Sequence, residues 1–327
     1  MIKTSLSKAL LASGARATSH NLVASIPSSA VRAFSCSSQK AFLNTKDQKK
    51  TFTISEMPEE LMREVKGTHP APMREEFTRH EKLSSKELSA IDVEVGKHYK
   101  PNDFGDRVAQ RFIKMLRTLP DTYFGRDHYM RAVMLETIAA VPGMVGGMLR
   151  HMKSLRNMSE DHGWIIHLLH EAENERMHLM TWMKCLQPSL ANRLLVLGAQ
   201  GVFFNAYFWL YVFSPRIAHR MCGYLEEEAV ISYTHFLDDL DAGLISNGPA
   251  PPIAIDYYNL QPGASVRDTV LAIRADEALH RDANHHFADR IAAHRENLLA
   301  DVQAKAYSEE QSRRVAKSPH YTQTSLH

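Results

Sequence analysis

The sequence predicts an all-α fold, a ferritin-like four-helix bundle with additional apolar helices at a membrane surface. Three observations predict it. Two Glu-x-x-His pairs, Glu175/His178 and Glu277/His280, lie far apart in the chain. Two further glutamates, Glu136 and Glu226, sit within apolar stripes of helical period. There is no strand-like alternation of note and no internal repeat beyond the two pairs. Residues three apart share one face of a helix, so each pair offers a carboxylate and an imidazole to one point. A lone Glu from each of two helices and a Glu-x-x-His from each of two others is the donor set of di-iron and di-manganese carboxylate bundles.

The 327 residues allow one large domain with tails, and at 44% hydrophobic they can build a sizeable core. The charge of +2 is unevenly spread. No acid precedes Asp47, whereas Lys3, Lys8, Arg16, Arg32, Lys40 and Lys46 fall before it in a Ser-rich segment. That composition predicts a mitochondrial transit peptide over 1–34, with Arg32–Ala33–Phe34–Ser35 as processing site and cleavage after Phe34. No apolar block of secretory type appears. Loss of four basic residues from 39 leaves two fewer than the 37 acids, which argues against a nucleic-acid binder. Cys36, Cys185 and Cys222 form no Cys-x-x-Cys and no disulfide framework, which suits a reducing compartment.

Residues 35–100 read as an extended arm with short helical pieces, polar and interrupted by Pro58, Pro70 and Pro72. A core domain follows over 101–300. Val108, Phe112, Met115 and Leu116 predict an amphipathic helix over 106–117, broken at Leu119–Pro120–Asp121. The next helix is expected over 126–150. Tyr129, Val133, Glu136, Ala140 and Gly143 form its seam, and Pro142–Gly143 with Gly146–Gly147 kink it or thin it for close packing. Ser159–Glu160–Asp161 offers an N-cap and acidic first turn to a helix with the seam Leu168, Glu171, Glu175, His178 and Trp182, ended by Pro188.

The stretch 194–213 has no charge and meets the length of a membrane span. A single crossing there would put Glu175 and His178 across the bilayer from Glu226. It is therefore read as a helix in one leaflet, or packed on the bundle with a greasy face outward, with Tyr207, Trp209 and Tyr211 suited to an interface. Ser214–Pro215 starts the next helix, seamed by His219, Cys222, Glu226, Ala229, Tyr233, Leu237 and Leu240. A Pro/Gly loop over 246–263 precedes the last helix, from about Ser265, seamed by Val270, Ile273, Glu277, His280, Asn284 and Phe287. The tail over 301–327 is polar and read as disordered.

Four glutamates on buried stripes need a reason, because an unpaired buried carboxylate costs several kcal/mol. Two divalent cations cancel the four charges. Carboxylates with imidazoles, and few thiolates, suit iron or manganese. Tyr233 lies two turns past Glu226 and is either a packed core residue or a donor of an electron and a proton. Asp276 and His219 are candidates for hydrogen bonds that orient ligands.

Leu135–Glu136–Thr137, Asn174–Glu175–Arg176–Met177–His178–Leu179, Leu225–Glu226–Glu227–Glu228–Ala229 and Arg274–Ala275–Asp276–Glu277–Ala278–Leu279–His280–Arg281 resemble, in order, the four signature motifs of the alternative oxidases. The similarity runs through Val141–His151 and covers roughly 98–290. The resemblance implies a cyanide-insensitive ubiquinol oxidase on the matrix side of the mitochondrial inner membrane. It implies a monotopic homodimer that reduces O2 to water with electrons from two quinols and pumps no protons. Carried across, the two iron ions fall to Glu136, Glu175, His178, Glu226, Glu277 and His280. Tyr233 matches the family's redox tyrosine, and Asn174, His219 and Asp276 match residues that support the ligands. The quinol pocket falls to Arg131, Leu135, Leu225, Glu228 and Ala229, with Arg117 and Asp121.

Two residues depart from the family: Tyr258 stands where relatives often have tryptophan, and Ser232 where some have threonine. No cysteine lies between Cys36 and Glu136, so the disulfide-linked, keto-acid control of plant members is not expected. A plastoquinol oxidase and a di-iron quinone hydroxylase would use the same donors. A ferritin-like iron store, the non-enzymatic reading, fits poorly with the apolar stretches 132–149 and 194–213.

Overall fold

The computed structural model describes residues 69–300. The expected presequence over 1–34, the arm up to residue 68 and the tail lie outside the described residues. Eight α-helices are described: α1 (Ser85–Ala90), α2 (Phe104–Phe124), α3 (His128–Asn157), α4 (Trp164–Cys185), α5 (Leu190–Phe213), α6 (Pro215–Asp241), α7 (Pro252–Tyr257) and α8 (Val266–Ala292). No strand is present among the described residues; only the bridges Leu83 to Leu260 and Pro249 to Ser265 occur.

The bundle is two packed helix pairs, α3 with α4 and α6 with α8. The second pair is antiparallel: Arg274 reaches Thr234 at one end, and Arg220 reaches Asp289 at the other. Close approach is built into the sequence. A Cβ on Gly143 of α3 would lie 2.5 Å from the Leu168 carbonyl oxygen of α4. A Cβ on Gly223 of α6 would strike the His285 ring of α8 at 2.6 Å. These glycines let the backbones come near enough for short carboxylate side chains to meet across the core.

Local signals set most helix ends. Ser214 caps α6, with Pro215 in its first turn, and Ser265 with Asp268 forms a capping box on α8. Four expectations are corrected. First, α2 does not break at Pro120 but continues to Phe124. The ring lacks one N–H, yet Gly125 N–H bonds to the Asp121 carbonyl and Arg117 bonds the Asp121 carboxylate, holding the last turn. Second, α3 runs on to Asn157 and ends at Met158 in a left-handed conformation. Third, α4 starts at Trp164, capped by Gly163 at φ 97°, so the 159–161 stretch precedes it. Asp161 still accepts from Ile165 N–H at 2.7 Å and pairs with Arg150 at 2.8 Å. Fourth, the 246–263 loop contains the short helix α7.

Helix α5 packs on α3 and α6, and most of its apolar surface is exposed. Tyr207 and Tyr211 are buried against the bundle, so the interfacial role expected of them is corrected; Trp209 alone of the three is exposed. Helix α2 carries a parallel exposed stripe of Phe104, Val108, Phe112, Met115, Leu119 and Tyr123.

Candidate metal centre

Glu136 from α3, Glu175 and His178 from α4, Glu226 from α6, and Glu277 and His280 from α8 converge at the bundle axis, each 4% exposed or less. They form two overlapping groups. Glu136, Glu175, His178 and Glu277 bring one ligand atom each within 4.8 Å of one another, as do Glu175, Glu226, Glu277 and His280. Glu175 and Glu277 belong to both. His178 Nδ1 lies 3.5 Å from Glu136, 3.3 Å from Glu175 and 3.3 Å from Glu277. His280 Nδ1 lies 2.6 Å from Glu175 and 3.6 Å from Glu277.

Protein partners do not satisfy this donor set. Close as the histidines come, both oxygens of Glu175, one oxygen each of Glu136, Glu226 and Glu277, and the Nδ1 atoms of both histidines are buried without an aligned hydrogen bond. Burial and the charge of Glu175 push the Glu136 carboxyl well above its usual range. Burial, Glu277 and Glu175 do the same to Glu226. Glu175 moves the other way: burial opposes its charge, but the imidazoles of His280 and His178 hold it low. Orphaned donors and mutually repelling carboxylates at this density fit a pair of divalent cations, which would take the lone pairs and cancel the charge.

The supporting residues divide. Asn174 donates to Asp276 at 2.9 Å and to the Tyr257 hydroxyl at 2.9 Å. Asp276 faces His178 Nε2 at 3.3 Å, fixing the ring that carries Nδ1 into the cluster. Tyr258 donates to the same Asp276 oxygen at 3.1 Å, so the tyrosine at this position supplies a hydrogen bond as well as a ring. His219 makes no hydrogen bond to the six. It bonds Tyr211 at 3.1 Å and Asn284 at 2.9 Å, and Asn284 donates in turn to Glu171 at 2.9 Å. Tyr233 donates to Glu136 and accepts from Trp182 Nε1 at 2.9 Å. The partners Trp182 and Tyr257 were not singled out as site residues. Trp182 shows as one more seam position, and Tyr257 comes from a helix the sequence does not signal.

A cavity of about 1480 Å³ opens between α2, α3, α5 and α6 and ends at Glu136, Glu226, Tyr233 and Glu277. Its walls are overwhelmingly apolar, and its volume exceeds the range of ordinary small-ligand pockets. Arg117, Arg131, Leu135, Leu225, Glu228, Ala229 and Ser232 all line it. Asp121 stands behind them, bonded to Arg117 at 3.1 Å and Arg131 at 2.5 Å. Arg117 also pairs with Glu228, and Arg131 donates to Ser232 at 3.2 Å.

Fold and site together define a helical-bundle protein whose buried Glu/His clusters are compatible with a di-iron site. The family model described as Alternative oxidase matches residues 84–289. The chain belongs to the alternative oxidase family. It is 56% identical over 247 residues to "Ubiquinol oxidase, mitochondrial" of Batrachochytrium dendrobatidis, covering 76% of this chain and 78% of the relative. It is 56% identical over 201 residues to the protein of the same name from Mangifera indica, covering 62% and 63%. "Ubiquinol oxidase 1a, mitochondrial" of Arabidopsis thaliana is 57% identical over 199 residues, covering 61% and 56%.

Proposed function

We propose that this chain is a ubiquinol:oxygen oxidoreductase acting in mitochondria. One observation carries the reading: an apolar cavity that holds Arg117 and Arg131 in its lining reaches Glu136, Glu226 and Glu277 of the buried carboxylate and histidine clusters. The residues that would hold two iron ions are Glu136, Glu175, His178, Glu226, Glu277 and His280, and Glu175 and Glu277 belong to both groups. Bound there, the iron pair would pass electrons to dioxygen and take them back from the quinol.

The chain's own residues do the rest. The apolar walls accept the isoprenoid tail and keep water out. Arg117, Arg131, Glu228 and Ser232 supply donors and acceptors for the quinol oxygens, and Asp121 holds the two arginines in place. Tyr233 can surrender its phenolic proton to Glu136 as it gives up an electron. Asp276 and Asn174 keep His178 turned toward the cluster. Two quinols release four protons and four electrons, which balance the reduction of one O2 to two waters. No proton need cross a membrane.

The exposed apolar faces of α2 and α5 support monotopic attachment to one leaflet, and the family resemblance supports the matrix side of the inner membrane for that leaflet. Met144, Met148, Met152 and Leu155 of α3, with Ile166 and Leu169 of α4, make a second exposed apolar face, which supports a homodimer.

The test is expression in bacterial membranes stripped of their own terminal oxidases. Cyanide-resistant oxygen uptake with ubiquinol is expected, with two iron ions per chain, and Glu175→Ala should abolish it. Uptake surviving that substitution removes Glu175 from the site. Tyr233→Phe should keep both ions and lose turnover; loss of iron as well would make the tyrosine structural. A hydroxylated quinone product would assign the chain to the hydroxylases. A preference for plastoquinol would assign it to the plastid class, and many irons per chain would mark a store.

A further inference from the structure

Tyr233 stands at a junction. One side of it lines the cavity; the other side meets Trp182, which does not. Trp182 is fully buried, donates its indole N–H to the Tyr233 oxygen at 2.9 Å and stacks on the Tyr233 ring at 6.2 Å between centroids. Beyond Trp182 comes Tyr129, edge-on at 6.0 Å, and this ring is also absent from the cavity wall. Tyr129 is only partly buried. The exposed thiol of Cys185 lies one helical turn past Trp182, on the face of α4 that Tyr129 packs against. Burial and the nearby Cys185 sulfur together push the Tyr129 phenol up. Four easily oxidised side chains thus run from the clusters to the surface, leading away from the cavity. Packing alone needs rings there, but it does not need each one to be oxidisable.

We propose that Trp182, Tyr129 and Cys185 form an escape route for oxidising equivalents stranded at Tyr233 when the cavity holds no quinol. This rests on the quinol oxidase reading above. The stranded species is the Tyr233 phenoxyl. It takes an electron from Trp182 and recovers the proton it had passed to Glu136. The Trp182 radical cation takes an electron from Tyr129, whose phenolic proton leaves to solvent. The Tyr129 phenoxyl then takes a hydrogen atom from the Cys185 thiol, leaving a thiyl at the surface. A low-molecular-weight thiol gives a hydrogen atom to that sulfur, and two of the resulting small thiyls combine as a disulfide. One electron leaves the external thiol for each phenoxyl repaired, and the protein returns to its starting state.

The test uses the enzyme in membranes, exposed to oxygen with limiting ubiquinol and a nitrone spin trap, followed by peptide mass spectrometry. Nitrone adducts are expected on Cys185 in the parent. Tyr129→Phe should leave the initial rate of oxygen uptake unchanged. It should cut the Cys185 adduct several-fold, move oxidation to Trp182 and shorten the enzyme's working life several-fold. Cys185→Ser should move the adduct to Tyr129. An adduct on Cys185 that is undiminished in Tyr129→Phe overturns the route, as does oxidation confined to Tyr233 and the cavity wall in the parent. Those results leave quinol-dependent uptake intact, so they strike the route alone. Absence of such uptake in the parent strikes the quinol oxidase reading and the route with it.

Discussion

At the scale of single residues, burial decides which groups can act. Six donors near complete burial with orphaned lone pairs are tolerable only if something else occupies them. Their identities were legible in the sequence because Glu-x-x-His is a local pattern on a single helix face. His219 shows where such reading stops. Its position two turns before Glu226 suggested support of a ligand, but the helix rotation turns it toward Tyr211 and Asn284. Burial, against the Asn284 hydrogen bond and with help from Arg150, lowers its pKa from 6.5 to about 4. Neutral His219 is therefore favoured in the folded chain. Its contribution is complete above about pH 6.5 and is lost as pH falls toward about 4, because the unfolded chain binds a proton that the folded chain refuses. The loss amounts to about 3 kcal/mol over that window. His219→Gln should flatten it: the fall in Tm between pH 7 and pH 5 should be smaller than in the parent. An equal fall in both proteins would show that His219 does not titrate in this way.

At the scale of elements, the periodicity of α3, α4, α6 and α8 carried the bundle, and composition carried α5. The ends were less legible. Pro120 looked like a stop because a proline removes one backbone bond, yet the long-range Arg117–Glu228 pair lies just before it and helps to hold the last turn. Gly163, not the acidic 159–161 stretch, begins α4, because only a left-handed residue turns the chain back onto α3 there. Gly143 fixes how near α3 and α4 come. Gly143→Ala should cost about 1–3 kcal/mol, since the added carbon meets backbone that cannot yield. It should also lower iron occupancy by drawing Glu136 away from His178. Gly198→Ala on α5 is the control: nothing lies within 4 Å of its Cβ, and the helix should hold as well or better. Calorimetry and iron analysis of the two variants distinguish close packing from a general intolerance of substitution.

At the scale of the whole molecule, residues of the two exposed apolar stripes, on α2 and α5, also line the cavity. The uncharged run over 194–213 announced one of them. The α2 stripe was legible as an amphipathic pattern, but its apolar side was not legible as the outward one, because periodicity does not say which face meets the core. If the stripes hold the protein on a leaflet, acids placed there should release it. Leu197→Glu, Phe213→Glu and Met115→Glu together remove three exposed apolar side chains, each worth about 1.5–3 kcal/mol when fully buried. The triple variant should appear in the soluble fraction after alkaline carbonate washing, with its iron retained. A variant that stays with the membrane pellet would place attachment elsewhere. The shared position of Glu175 and Glu277 has a different consequence, for how the protein matures. On the proposed ligand set, an ion held by one group would fix Glu175 and Glu277 in place for the other group. Each ion then strengthens the binding of the other by the same factor. Under iron shortage the population would divide into fully charged and empty chains, with few half-filled ones. Scarcity would then lower the number of working molecules and leave the rate of each one unchanged.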